Sequence, residues 1–114
     1  MTPTWVIMPV LNSPQMTLDA IADCLDQSVP TRLLIVNQGA DNELRSLLEG
    51  LAEQHPTRIF VWSHCPTLPS LSATWNRALD FCWRTGAEEA LVVNNDTRLR
   101  PDTVEALSNV FHLT

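Results

Sequence analysis

Four times along this chain a short apolar run is followed by a stretch whose apolar residues recur at the spacing of one helix face, and that alternation limits the fold more than any other feature. Trp5 to Val10 forms the first run. Ser13-Pro14 then opens a stretch with Leu18, Ile21, Ala22 and Leu25 at i, i+3, i+4, i+7. Arg32 to Val36 is the second run, and after a polar turn around Gly39, with Asp41 as N-cap, Leu44, Leu47, Leu48 and Leu51 repeat the helical spacing. Arg58 to Trp62 predicts a third strand. Leu71, Trp75, Ala78, Leu79 and Cys82 predict a third helix, which Gly86 closes as a left-handed C-cap. Ala90 to Val93 gives the fourth strand, and Val104, Leu107 and Val110-Phe111 the last helix, with Pro101 at its first position and Asp102 at the positive end of its dipole.

Continuous apolar strands separated by helices of about a dozen residues imply a parallel sheet covered on both faces, because right-handed crossovers place helices there. The expected fold is therefore α/β, a three-layer α/β/α Rossmann-like sandwich formed by residues 1–114 as a single domain. In such sheets ligands sit beyond the carboxyl ends of the strands, where chain order reverses. Spatial order 3-2-1-4 is expected, which sets the ends of strands one and four side by side.

Charge removes several classes of partner. The formal net charge is −6, so the long-range field repels nucleic acid and anionic membrane. Apolar runs are only a few residues long, which predicts no transmembrane segment, and the N-terminal residues lack a signal-peptide pattern. A cytoplasmic protein is expected. Cys24, Cys65 and Cys82 are odd in number and show no C-x-x-C spacing, against a disulfide framework or a zinc knuckle. Cys24 and Cys82 fall on helical segments and are expected to be buried hydrophobes. Trp5, Trp62, Trp75 and Trp83 are expected in the packing between helices and sheet.

All four predicted strand ends are polar. The first carries Pro9 and Asn12, the second Asn37, Gln38, Gly39 and Asp41, the third Ser63 and His64, and the fourth Asn94, Asn95 and Asp96. The helix after the third strand carries Ser72, Ala73 and Asn76. Taken in order, Pro9 and Asn12, Gly39 and Asp41, Ser72, Ala73 and Asn76, then Asn94 with Asp96 before a Pro-Asp pair, this resembles the donor half of the GT-A glycosyltransferases, most closely family 2. The resemblance runs from about Val6 to Leu107. It implies a GT-A nucleotide-diphospho-sugar transferase fold, a nucleoside-diphosphate sugar as donor, and sugar transfer to an acceptor hydroxyl. It further implies Pro9, Asn12, Asn37, Gln38, Gly39, Asn76, Asn94 and Asn95 at the nucleotide sugar and Asp96 on Mg²⁺ or Mn²⁺.

Two departures from the family pattern shape the expectation. Where family members usually carry a carboxylate at the second strand end, this chain has Asn37 and Gln38, whose amides both donate to and accept from a pyrimidine edge. The acceptor-binding half, with its general base, is expected from a partner chain or oligomer. No catalytic residue can therefore be named, and the alternative is a non-catalytic nucleotide-sugar-binding module or a structural remnant lacking the acceptor half.

Elementary chemistry fits the same residues. A sugar pyrophosphate brings about two negative charges to an acidic protein, and a hard divalent cation takes both carboxylate and phosphate oxygens. Each residue also has a plainer role: Asp96 as a turn cap, Asn76 as a solvated helix residue, Pro9 as a stop to strand pairing. His64 and Cys65 are neighbours on extended chain and point apart. Gly39, Gly50 and Gly86 are the only glycines, so neither a Walker loop nor a G-x-G-x-x-G fingerprint is present, and no G-x-S-x-G elbow occurs.

Overall fold

The computed structural model describes residues 3–10, 14–37, 42–62, 71–94 and 97–113, with the side chains of 71–75 and 110–113 left aside. Strands β1 (Thr4–Val10), β2 (Thr31–Asn37), β3 (Ile59–Trp62) and β4 (Ala90–Val92) alternate with helices α1 (Pro14–Leu25), α2 (Asn42–Gln54), α3 (Leu71–Arg84) and α4 (Thr103–Leu113). All pairs are parallel and the order is β3-β2-β1-β4, the expected 3-2-1-4.

Register explains how two cores arise from one sheet. Val6 lies opposite Leu33, Ile7 opposite Leu34 and Met8 opposite Ile35, and successive side chains alternate between faces. Val6, Met8, Val10, Leu33 and Ile35 therefore join Ala20, Ile21 and Cys24 of α1 and Leu44 and Leu48 of α2 in one cluster. Ile7, Leu34, Val36 and Trp5 meet Ala78 and Cys82 of α3 on the other face. Phe81 stacks edge-on against Trp5 and Trp62, with centroids 5.7 Å and 5.3 Å away. This is the three-layer sandwich that the alternation implies.

Several local expectations shift by a residue or more. The buried stripe of α1 is Thr17, Ala20, Ile21 and Cys24, not the stripe through Ala22, which is exposed. Leu47 and Leu107 fall outside the buried faces of their helices, and Trp83 turns outward at 49% exposure because Ala78 and Cys82 hold the sheet-facing side of α3. Strand β3 starts at Ile59. Arg58 instead reaches the end of α1, donating to the Leu25 carbonyl at 3.0 Å and to the Thr31 hydroxyl at 3.2 Å. Helix α4 begins at Thr103 rather than Pro101: the Thr103 N–H turns back to the Arg100 carbonyl, and the first helical bond runs from the Ala106 N–H to the Asp102 carbonyl. Asp41 and Ser13 lie outside the described residues.

The C-cap at Gly86 forms as expected. Its φ is +93°, the Ala87 N–H bonds the Cys82 carbonyl and the Gly86 N–H bonds the Trp83 carbonyl, the paired bonds of a Schellman motif. Cys24 and Cys82 are buried, and burial pushes their thiols up to about 12 and about 11. Both are neutral at physiological pH and serve as packing groups.

Candidate functional site

The chain reverses its direction of travel across the sheet at β1, which receives β2 on one side and β4 on the other. In open α/β sheets such a reversal is where ligands bind, beyond the carboxyl ends of the strands, here β1 and β4. The backbone groups of β1 are shared between the two neighbours. Even-numbered residues face β2, as the Thr4 N–H bonding the Pro30 carbonyl shows. Odd-numbered residues face β4: the Trp5 N–H bonds the Glu89 carbonyl, and the Ile7 carbonyl accepts from the Val93 N–H at 2.9 Å. Pro9 is the next odd-numbered residue and has no N–H to offer β4. The paired register with β4 ends at Ile7 and Val92, while pairing with β2 continues to Val10 and Asn37.

Pro9 is buried within the sheet, opposite Val36. Asn37 ends β2 at 5% exposure, beside Val10. Asn94 is exposed just past β4, and its carbonyl accepts from the Thr97 N–H at 3.1 Å. Asn76 is exposed in the second turn of α3. Register thus brings Pro9, Asn37 and Asn94 to one end of the sheet. Asn12, Gln38, Gly39, Asn95 and Asp96 lie outside the described residues. Among the described residues no group of three His, Cys, Asp or Glu side chains is placed to hold a metal ion.

What spacing did not reveal is how the chain leaving β4 is held. Asp23 of α1 accepts two bonds from the Arg98 guanidinium, at 2.7 Å from Nε and 3.2 Å from Nη2, and a third from the Leu99 N–H at 2.9 Å. Those Arg98 hydrogen bonds, helped by the Leu99 N–H and the Arg98 charge, hold the Asp23 carboxyl below the usual carboxylate range against the opposing effect of burial. One turn later, Gln27 donates to the Arg100 carbonyl at 2.8 Å and accepts from the Val104 N–H at 2.9 Å, meeting a donor of the first turn of α4 that has no partner within the helix. The Ser28 N–H bonds the Pro101 carbonyl, and its hydroxyl donates to Glu105. Leu99 packs on the core under α1 and α2. The partners are about 75 residues apart in sequence, so neither periodicity nor a local motif announces them; only covariation between the two segments would.

A separate groove of about 330 Å³ opens at the other end of the sheet, lined by Thr4, Ala90, Trp83 and Leu107 among others. It is remote from the strand ends that carry the polar residues.

No protein-family profile and no curated protein sequence matches the chain. Among solved structures, the crystal structure of S. aureus TarS 1–349, a wall teichoic acid glycosyltransferase, is similar at a TM-score of 0.65 and 16% identity. The match covers 97% of this chain and 32% of that one. This chain therefore shares the α/β fold of that structure and spans about a third of it. No described helix is long and apolar enough to cross a membrane.

Proposed function

We propose that this stretch is the donor-binding part of a glycosyltransferase, taking a nucleoside-diphosphate sugar at the crevice between the ends of β1 and β4. The observation that carries the reading is the reversal at β1 in a glycosyltransferase-like fold, with Asn94 exposed at the mouth of that crevice and Asn37 at the neighbouring strand end. Asn94 and Asp96 offer oxygen donors, the type that Mg²⁺ and Mn²⁺ accept. Asp96 is the residue that would hold the ion, and Asn94 or Asn95 would orient its waters or the ribose. Such an ion supplies charge neutralisation to a departing diphosphate. Asn37 is proposed at the nucleotide base together with Gln38, presenting amides where a carboxylate is usual. Pro9 acts by ending the ladder with β4, and Asn12, Gly39 and Asn76 complete the proposed wall of the site.

In the full reaction the bond from the anomeric carbon to the diphosphate oxygen breaks. A bond to the acceptor oxygen forms, and the acceptor proton passes to a base. Nothing in this stretch is assigned as that base, and the acceptor half that brings it is proposed to come from outside residues 1–114, in the same or a partner chain. Because the match spans about a third of the neighbour, binding without transfer is the activity proposed for this stretch alone.

Calorimetry with UDP, GDP, CDP and ADP, each with Mn²⁺ and with EDTA, tests the reading. Binding of at least one nucleotide is expected with Mn²⁺ and to weaken in EDTA. Asp96→Asn is expected to remove the metal-dependent gain, because a neutral amide offsets the cost of dehydrating a dication less well than a carboxylate. Its thermal midpoint should stay put, since Asn caps a turn as Asp does. An Asp96→Asn variant with the parent's metal-dependent binding would remove Asp96 from the site.

A further inference from the structure

We infer that the outer edge of β4 receives an extended segment of a partner protein, apolar on both faces and basic at one end, which joins the sheet as a further strand. The inference stands apart from the donor site. β4 lies at the outside of the sheet, with β1 on its inner side and no described strand on the other. The Trp5 N–H bonds the Glu89 carbonyl and the Val93 N–H bonds the Ile7 carbonyl, so the odd-numbered residues in and around β4 face β1. Its even-numbered residues, Ala90 and Val92, direct their N–H and C=O groups outward. All three residues of the strand are only half-buried.

Walls for such a segment already stand on both sides of that edge. The groove of about 330 Å³ is lined by Trp83 of α3 and by Val104 and Leu107 of α4, together with Ala90 and Leu91 of β4. Helix α3 packs on the sheet face that carries Ile7 and Val36. Helix α4 belongs to the opposite layer: Gln27 and Ser28 tie its first turn to the end of α1, and its Ser108 hydroxyl donates to Glu89 at 2.8 Å. The groove therefore crosses the strand edge from one helical layer to the other. Side chains of an added strand alternate between faces, so one set covers Trp83 and the other Leu107, which stand 49% and 40% exposed. A three-residue edge is itself a common protection against pairing. Shortness does not account for apolar walls on both sides of it, and scattered exposed apolar residues are ordinary whereas two lining one groove beside unpaired backbone are not. Charge selects the occupant. Glu88 and Glu89 stand at the same groove in a chain of net charge −6, which opposes a second copy and favours a segment with Lys or Arg at that end. Main-chain bonds then supply affinity and the alternate side chains specificity.

The probe is the peptide Arg-Val-Leu-Val-Leu-Arg, blocked at both termini and basic at both ends, so that either strand direction sets an Arg beside Glu88. Calorimetry and backbone hydrogen exchange read its binding. With the probe bound, the Ala90 and Val92 amides are expected to exchange about tenfold more slowly or better, while those of Leu91 and Val93, already bonded to β1, change little. That alternation marks strand addition, and burial alone does not produce it. Trp83→Ala and Leu107→Ala should each weaken binding by about tenfold. A probe with Glu in place of both Arg should bind about tenfold more weakly than the parent probe, and Glu88→Lys should narrow that difference. Ala90→Pro removes an outward N–H that β1 does not use, a position where an edge strand accepts proline, so it should abolish binding with little change in thermal midpoint. If that variant does not fold, a probe N-methylated at its central amides, which cannot pair as a strand, makes the same comparison and should not bind. Binding without alternating protection overturns the inference, and so does equal affinity for the Arg-ended and Glu-ended probes. A parent that binds no probe overturns it as well; a dimer in sedimentation that Ala90→Pro dissociates then assigns the edge to a second copy.

Discussion

The turn that leads into β4, from Thr85 to Ala87, is closed by bonds to residues no more than five positions back, whereas the stretch that leads out of β4, from Thr97 to Asp102, is gripped by side chains of α1 and the turn after it. Both turns flank the same three-residue strand. The first is built from local bonds, the Thr85 hydroxyl on the Cys82 carbonyl among them, and needs one glycine; the second needs Asp23, Gln27 and Ser28 in place before it takes shape. A closed local turn tolerates whatever sits around it. A turn held from a distance follows the helix that holds it, and the proposed metal ligand Asp96 immediately precedes the second kind in sequence.

The largest effect that separates the two turns is expected from Asp23→Ala, which leaves the Leu99 N–H without its acceptor and costs about 2 kcal/mol. Urea titration should show it as a lower midpoint with an unchanged slope, and Leu99 exchange should accelerate more than that of Gly86. Gln27→Ala comes next at about 1 kcal/mol, since the Val104 N–H loses its acceptor; faster exchange confined to the first turn of α4 would locate the loss. Gly86→Ala is expected to cost about 1 kcal/mol as well, for a different reason: an added Cβ meets nothing within 4 Å, so the cost is the left-handed backbone alone. Exchange at Leu99 should then be unaltered, and a change there would erase the distinction between the turns. The smallest effect is expected from Arg84→Ala, which removes an exposed pair with Asp80, at roughly 0.5 kcal/mol or less.

Acid sharpens the same comparison. The Asp23 carboxyl is held below its ordinary value of 3.8 in the folded state. Its contribution is therefore complete above that ordinary value and is lost as pH falls through the lower, folded one. The stability gap between parent and Asp23→Asn should be constant near neutrality and close progressively below about pH 4, while the gap between parent and Gly86→Ala should not change with pH. Urea midpoints from pH 7 down to pH 2.5 measure both.

How much of this was visible in the residues follows the same division. Four strands, four helices and the sheet order were legible because each rests on short-range periodicity and on a chirality rule that leaves few topologies. Gly86 was legible because a single residue type answers a single backbone need. Leu47, Leu107 and Trp83 point outward where the pattern placed them inward, since a helix in contact along only part of its side buries a narrower stripe than its apolar residues suggest. Pro101 misled because a proline-aspartate pair suits a helix start and a preceding turn equally well. Of the candidate site, what was legible is the register that brings Pro9, Asn37 and Asn94 to one end of the sheet. Asp23 was not, because nothing within its own helix distinguishes it from Asp19, and only the arrival of Arg98 does.

The split allegiance of β1, even-numbered residues to β2 and odd-numbered residues to β4, has a consequence for the order of events on the ribosome. Its partner β2 follows α1 directly, so that ladder can close while the rest is still being made. The partners of its odd-numbered side come about 85 residues later. At 5–20 residues per second that is a wait of roughly 4–17 s. For that interval half of β1 is a bare edge, the kind of surface that recruits other strands, and Pro9 shortens it by one donor at the end where β4 will never pair.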